Sequence, residues 1–290
     1  MPPGRFAAQP VHRSPVLAGL IDDAAIFPPG DLPLAEAVPA HTAHLSSGYA
    51  PVLGRFVVDA GRLGQLAELV PAGKPLAILL TGSAASLPGA LESLRSAPAL
   101  RLAGVELAPG DLAELRSARQ LLPPGVALWS EVPFDRLDRI SAARKLGVAV
   151  KFRTGGLLRT AFPSAAELAE AIARSVLAGV RFKLTAGLHR AVRQRAADGF
   201  EHHGFANVLL ATEAAQRGVP QSRVEKLLAL EDGTELSALW HERLTSLPTA
   251  RTAFRSFGSC SIAEPLDSLA AMLALAPGPR QMPDETEEPL

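Results

Sequence analysis

The chain alternates short apolar runs, rich in Val, Ile, Leu and Phe, with segments in which Leu and Ala recur at helical spacing. One helical segment, SAAELAEAIARSVLAG, carries both end signals: Ser164 and Glu167 have the spacing of a capping box, and Gly179 ends the helix. Eight strand and helix units follow one another in this way. The predicted strands are Leu17–Phe27, Gly54–Asp59, Pro75–Thr81, Leu102–Leu107, Val126–Val132, Val148–Thr154, Val180–Thr185 and Ala253–Phe257.

Apolar strands joined by helical crossovers predict an all-parallel sheet that is covered on both faces. Such a sheet is either open and doubly wound or closed as a (β/α)8 (TIM) barrel. Eight units in about 260 residues match the barrel, and the first strand reads LIDDAAIFPPG, without the Gly-rich turn of a dinucleotide-binding sheet. The sequence therefore predicts one α/β barrel domain over 15–275, with two or three helices inserted between His189 and Leu247. The open sheet is the alternative.

The two ends of the chain differ from the rest in composition. Residues 1–14 are basic and Pro-rich, and residues 276–290 are polar, Pro-rich and finally acidic. Both segments have too few apolar residues to pack against a core, so we expect a flexible N-terminus and a disordered acidic tail.

Overall charge narrows the classes of partner. Lys and Arg number 29, Asp and Glu also number 29, and the formal net charge is +0, which argues against nucleic acid or a membrane surface as the main partner. The single cysteine, Cys260, excludes an internal disulfide, and no apolar run is long enough to span a bilayer. We expect a cytoplasmic protein that acts on a small anionic molecule without a cofactor. A homo-oligomer is compatible with these features.

Basic side chains interrupt the sixth and seventh predicted strands. Because side chains alternate between the faces of a strand, Lys151 shares a face with Arg153, and Lys183 shares one with Thr185 and Arg181. A buried lysine needs a charged partner or a lowered pKa, and a lowered pKa makes lysine a usable nucleophile or base. The pattern indicates a site at the C-terminal strand ends. The structural alternative is that the lysines reach solvent from frayed strand ends.

Small residues follow the last two predicted strands. Gly187 follows the seventh strand, and Gly258, Ser259 and Ser261 lie between the eighth strand and a helix. Free backbone N–H groups and a helix N-terminus favour an anion, and barrels often bind phosphate at these two strand ends. With Arg255 adding charge, the segment predicts an anion site. The alternative is an ordinary turn in which Ser261 caps the helix.

Acidic residues lie late on several predicted strands, where they would converge on the two lysines and transfer protons. Asp23 and Glu131 are the preferred acid or base candidates. The others are Asp22, Asp59 and Glu106.

The histidines have no metal-ligand spacing, so no metal site is predicted. His189 and His202 are placed near the C-terminal strand ends, where they would contact substrate, and a role for His203 stays open. Cys260 has no histidine partner that the sequence alone assigns, so thiol catalysis is not favoured.

These motifs resemble those of the deoxyribose-phosphate aldolase group of class I aldolases, which are TIM barrels. The family's sixth-strand motif, K-x-x-T-G, matches the segment from Lys151 to Gly155, and its second lysine matches Lys183, 32 residues further on. The segment from Arg255 to Ser261 resembles the family's R-x-G-x-S motif with one extra residue between Arg and Gly. The chain departs from the family by carrying Glu106 in place of an Asp, and by lacking an F-P-x-G turn on the third strand.

The resemblance implies a lyase reaction in which a lysine amine forms a Schiff base with a carbonyl compound, so that a neighbouring carbon–carbon bond forms or breaks. The implied nucleophile is Lys151, with Lys183 lowering its pKa and Glu106 or Asp23 moving the proton. The implied contacts to a phosphorylated or carboxylated substrate are Arg153, Thr154, Gly155, Thr185, Gly187, His189, Arg255, Gly258, Ser259 and Ser261.

Two other classes of function stay open. In one, Lys151, Arg153, Lys183 and Arg255 form a basic pocket for an anionic metabolite in an isomerase, a metal-assisted lyase or a sensor, without imine chemistry. In the other, the barrel is a scaffold with a decayed site.

Overall fold

The computed structural model describes residues 14–71, 73–196 and 199–275, in which eight parallel strands close into a barrel. Each strand pairs with the next barrel strand along the chain, and the last pairs with the first. The predicted (β/α)8 barrel is confirmed, and the open sheet is excluded. The barrel strands are β1 (Ile21–Asp23), β2 (Leu53–Asp59), β3 (Leu76–Gly82), β4 (Leu100–Leu107), β5 (Ala127–Glu131), β6 (Ala149–Arg153), β7 (Phe182–Thr185) and β10 (Phe254–Ser259).

Helices follow the strands and cover the barrel. In the helix after β6, the Ser164 hydroxyl accepts the Glu167 N–H at 3.2 Å, which is the predicted capping box, and Gly179 follows the helix with a φ of +62°. The helices are α1 (Leu34–Leu45), α2 (Leu63–Leu69), α3 (Leu87–Arg95), α4 (Leu112–Leu121), α5 (Arg139–Lys145), α6 (Ala165–Leu177), α7 (Phe205–Gln216), α8 (Gln221–Ala229), α9 (Gly233–Glu242), α10 (Leu247–Ala250) and α11 (Ala263–Leu273).

The interval between β7 and β10 holds the predicted inserted helices, α7 to α9, and the short α10. It also holds an antiparallel pair that the sequence pattern did not predict, β8 (Gln194–Arg195) with β9 (Glu201–His202). The segment 276–290 and all but the last residue of the segment 1–14 lie outside the described residues. Within the described ranges, no helix has the length and apolar character needed to cross a bilayer.

On β6 and β7, the aromatic side chains and the lysine side chains point to opposite faces of the strands. Phe152 and Phe182 are fully buried, their ring centroids lie 6.1 Å apart, and Phe182 stacks on Phe254 at 5.3 Å. Because neighbouring positions on a strand face opposite sides, Lys151 and Lys183 project into the barrel on the other face. The same strands therefore supply both an aromatic layer and a polar interior.

Candidate active site

Charged side chains of alternating sign form a continuous chain inside the C-terminal end of the barrel. We call this row of ion pairs the charge chain. It begins in the interior at a buried aspartate of β1 and ends at an exposed arginine of β6. Its members lie on five barrel strands. In order, its members are Asp22, Lys183, Glu106, Lys151, Glu131 and Arg153.

Lys183 is the most enclosed member, with 1% of its side chain exposed. Its Nζ lies 2.6 Å from Oδ2 of Asp22, contacts Oε1 of Glu106, and is 5.9 Å from the ring centroid of Trp129. Burial lowers the pKa of a lysine, but the charges of Asp22 and Glu106 outweigh it and raise the pKa of Lys183 above its ordinary value. Lys183 is therefore held as an ammonium.

Glu106 joins the two lysines. One carboxylate oxygen contacts Lys183, and the other lies 3.3 Å from Nζ of Lys151. Burial raises the pKa of a carboxyl group, but the charges of Lys183 and Lys151 reverse this effect and lower the pKa of Glu106 to about 2. Glu106 is thus an ionised bridge at neutral pH.

Lys151 lies opposite Lys183 in the register of β6 and β7, and it links the interior to the surface. Its Nζ is 3.1 Å from Oε2 of Glu131, whose Oε1 is 3.1 Å from Nε of Arg153. Burial raises the pKa of Glu131, but the charges of Lys151 and Arg153 lower it overall. The same carboxylate therefore holds Lys151 and an arginine that is 48% exposed.

Asp22 is fixed by partners on both neighbouring strands. Its Oδ1 accepts the N–H of Arg55 at 2.9 Å, and its Oδ2 accepts the hydroxyl of Ser256 at 2.6 Å. A side chain at Gly54 would overlap Oδ1, so this position of β2 has room only for glycine while Asp22 keeps its place. Neither Gly54 nor Ser256 was among the predicted site residues.

Asp23 does not join the two lysines, although it was a preferred candidate. Because it alternates with Asp22 on β1, it faces the helix layer, where its Oδ2 lies 2.8 Å from Nδ1 of His41 on α1. Both side chains are only 3% exposed. Asp22 instead supplies the carboxylate that faces the lysines.

A cleft of about 800 Å³ opens beside the outer end of the charge chain. Glu131 and Arg153 form part of its wall, so the cleft leads to the carboxylate that holds Lys151. Aromatic and basic side chains line much of the remainder. They are Phe134, Phe162, Phe200, Arg159, Arg193 and Arg195.

The small residues after β6 and β7 bring the two strand ends into close contact. The Thr154 hydroxyl donates to the Ala186 carbonyl oxygen at 2.6 Å, and a Cβ on Gly155 would lie 2.8 Å from Cα of Gly187. Gly187 has a φ of +78°, a conformation that favours glycine. Close packing of the two backbone segments thus accounts for the small residues in Thr154-Gly155 and Ala186-Gly187.

The segment after β10 has the geometry of a turn that begins α11. The Ser259 hydroxyl donates to the Ser261 carbonyl oxygen at 2.6 Å, and the Ser261 hydroxyl accepts the Glu264 N–H at 3.2 Å. Within the barrel, Gly258 pairs with Thr185 at the C-terminal ends of the strands. Both serine hydroxyls make hydrogen bonds within the turn. This arrangement corresponds to the ordinary turn that was the alternative to an anion site.

Arg255 lies away from the charge chain. It is the second residue of β10, and its Nη1 donates to the Arg251 carbonyl oxygen at 2.8 Å, just before the strand begins. The expected contribution of Arg255 to a basic pocket is therefore not made at the C-terminal strand ends.

The histidines near the C-terminal strand ends make protein contacts. His202 Nδ1 lies 3.3 Å from the Gly187 carbonyl oxygen, and His189 Nε2 lies 4.0 Å from Sγ of Cys260. The sequence alone assigned no histidine partner to Cys260, and the barrel supplies His189 by bringing together loops that are distant in sequence. In the part of the chain that the structure describes, no group of three or more His, Cys, Asp and Glu side chains is arranged to hold a metal ion.

Fold and site together define a (β/α)8 barrel with a candidate active site at the C-terminal ends of its strands. Neither a protein-family model nor a curated protein sequence matches this chain. The argument for its function therefore depends on the geometry of the charge chain and the cleft.

Proposed function

We propose that this protein is a carbon–carbon lyase of the class I aldolase type, which forms an imine between Lys151 and a small carbonyl compound. The observation that carries the proposal is the bridge from Glu106 to both lysines. Imine chemistry needs an amine that reacts and groups that move protons beside it. The bridge supplies these groups within 3.3 Å of Lys151.

The surroundings of the two lysines favour Lys151 as the nucleophile. Lys183 is 1% exposed and is held between two carboxylates that keep it charged. Lys151 is 7% exposed, and its partner Glu131 lines the cleft. Of the two lysines, Lys151 is therefore the one whose ion-pair partner lines the cleft.

Two carboxylates support the proton steps at Lys151. Its ammonium gives a proton to Glu131 or Glu106, and the free amine attacks the carbonyl carbon of the substrate. The resulting carbinolamine takes a proton back, loses water and becomes a protonated imine, which accepts electrons when the adjacent carbon–carbon bond breaks. Lys183 remains charged throughout, and a carboxylate that has accepted the proton is ionised again once it returns the proton.

The charge balance of the site favours imine chemistry over a basic pocket for an anion. Within the charge chain, three carboxylates match three cations, so the interior is neutral rather than strongly positive. Arg153 is the cation of the charge chain that reaches the cleft, and Arg159, Arg193 and Arg195 also line it, which supports a substrate with a carboxylate or phosphate at the end distant from its carbonyl group.

A cleavage assay tests the proposed function. The purified protein is incubated with a panel of β-hydroxy aldehydes and ketones, with and without a carboxylate or phosphate, and the released aldehydes are identified by mass spectrometry after derivatisation. We expect cleavage of at least one compound by the wild type and by Lys145→Arg, an exposed control on α5, but not by Lys151→Arg. Arginine keeps the charge but forms no such imine. Absence of cleavage across the panel, or an active Lys151→Arg variant, would overturn the proposal.

A further inference from the structure

Three side chains outside the charge chain meet at the ends of β7 and β10. The Cys260 Sγ lies 4.0 Å from Nε2 of His189, and Nδ1 of His189 lies 3.3 Å from Oε2 of Glu264. The last contact lacks good hydrogen-bond geometry, since Nδ1 has no hydrogen-bond partner among the described residues, and it becomes an ion pair when His189 is protonated. The order is that of a nucleophile, a base and a carboxylate beside the base.

Each member of this group is held by a different element. Cys260 directly follows β10, His189 lies in the loop after β7, and Glu264 lies in the first turn of α11. From the loop after β1, Gly30 packs against the cysteine so closely that an added Cβ would lie 2.9 Å from the Cβ of Cys260. The thiol is therefore placed by packing, while Glu264 is 54% exposed and His189 is 21% exposed.

The surroundings favour the neutral forms of both reacting groups. Burial raises the pKa of the Cys260 thiol, with Glu264 and Asp31 acting in the same direction. The backbone N–H groups of Gly30 and Cys260 oppose this shift. Burial also lowers the pKa of His189. A thiol beside an unprotonated imidazole is the state from which the imidazole accepts a proton during attack.

Other charged groups also face this histidine. His202 of β9 and Arg190 lower the pKa of His189, whereas Glu264 raises it. The net shift is downward. Any pH profile of the site therefore reflects these neighbours as well as the thiol.

We propose that Cys260, His189 and Glu264 form a second nucleophilic site, which accepts acyl groups from activated esters or thioesters. His189 Nε2 takes the thiol proton as the sulfur attacks the acyl carbon. A sulfur–carbon bond forms, the bond from that carbon to the leaving oxygen or sulfur breaks, and the leaving group takes the proton from His189. Glu264 positions the imidazole and stabilises its charged form. The site does not depend on imine formation at Lys151.

Because Cys260 is the only cysteine of the chain, its acylation is measured directly. The full-length protein is treated with p-nitrophenyl acetate from pH 6 to pH 10. Release of nitrophenolate gives the rate, and peptide mass spectrometry locates the acetyl group. The variants are His189→Gln and Glu264→Gln, with His241→Gln, an exposed histidine on α9, as a matched control. Melting curves verify that each variant folds.

At pH 7 we expect His189→Gln to acetylate Cys260 roughly tenfold more slowly than the wild type or more, because it lacks the base. Glu264→Gln is expected to show a smaller decrease, and His241→Gln none. The rates should converge at high pH, where the thiol ionises without help. Equal rates for the wild type and both site variants, or no acetylation of Cys260 in the wild type, would overturn the proposal. If His189→Gln does not fold, the acetylation rate of Glu264→Gln tests the proposal, since Glu264 is 54% exposed and its replacement should not affect folding.

Discussion

Lys151 and Lys183 lie directly opposite each other on β6 and β7 and hold opposite oxygens of one carboxylate, that of Glu106. Two ammonium groups placed this close inside a barrel repel each other unless a negative charge lies between them. The bridge therefore has a structural role as well as its proposed catalytic one, and the two roles are tested by different measurements.

Replacing Glu106 with Gln is expected to destabilise the fold by about 3 to 5 kcal/mol, because it removes one partner of a buried ion pair and leaves charge uncompensated. Urea unfolding at pH 7 gives the free energy. Glu68→Gln, a change at an exposed glutamate on α2, is the control and should alter stability little. If Glu106→Gln unfolds at the same urea concentration as the control, the carboxylate does not stabilise the two lysines.

Two glycine to alanine changes are expected to have opposite effects. In Gly54→Ala, the new methyl group overlaps Oδ1 of Asp22, so we expect a loss of roughly 1 to 3 kcal/mol. Gly64→Ala lies in α2, where nothing is within 4 Å of the new Cβ, and it should gain roughly 0.5 to 1 kcal/mol from helix propensity. Thermal unfolding compares the two proteins. Equal melting temperatures would show that Gly54 does not set the position of Asp22.

His203 is expected to make stability depend on pH between about 6.5 and 4. Its Nε2 lies 2.9 Å from the Pro163 carbonyl oxygen, and its Nδ1 lies 3.2 Å from Nη1 of Arg193, which fits a neutral ring that donates to the first and accepts from the second. Burial, with a smaller contribution from Arg193, lowers the pKa of His203 to about 4. The unfolded chain binds a proton in this range that the folded chain does not, so stability present above pH 6.5 is lost as the pH falls towards 4.

The comparison with His203→Gln isolates this effect. Between pH 7 and pH 4.5, the wild type should lose about 2 kcal/mol more than the variant in urea unfolding. His44 and His189 also have lowered pKa values, but both are present in the two proteins, and so their effects cancel. An equal loss in the two proteins would contradict the assignment of His203 as a buried neutral imidazole.

Arg153 is expected to affect ligand binding and not folding. Its side chain is 48% exposed, so Arg153→Ala should change stability by about 1 kcal/mol or less. For carbonyl compounds with a carboxylate or phosphate, the concentration that gives half-maximal imine trapping should rise about tenfold. Neutral aldehydes should show no such rise. Arg174→Ala, which breaks an exposed ion pair on α6, is the control. An equal effect on neutral and anionic compounds would show that Arg153 does not bind the anion.

The barrel was predictable because the strands after β1 lie in apolar runs that are recognisable without their neighbours. The same alternation placed Lys151 on one face with Arg153, and Lys183 on one face with Thr185 and Arg181, but it did not show which face points into the barrel. Alternation also did not show whether Asp22 or Asp23 faces the lysines. Strand β1 has only three residues, and its pairing with β2 and β10 determines which side chains point into the barrel. The pair of β8 and β9 was not predicted, since two-residue strands carry no periodic pattern.

Contacts between distant parts of the chain were not predictable from spacing. Ser256 reaches Asp22 across 234 positions, and Cys260 reaches His189 across 71. Ser256 reaches Asp22 because barrel closure places the last strand beside the first, and Cys260 reaches His189 because β10 pairs with β7. The sequence pattern therefore supplied the basic residues of the site, whereas several of their polar partners required the three-dimensional fold.

Borohydride trapping with peptide mapping tests the central claim most directly. The protein is reduced in the presence of small aldehydes and keto acids, digested, and analysed by mass spectrometry to locate the reduced adduct. We predict an adduct on Lys151 in the wild type and none on Lys183, with no adduct on either position in Lys151→Arg. A wild-type protein that carries no adduct on Lys151 with any compound, while exposed lysines are labelled normally, would contradict the account.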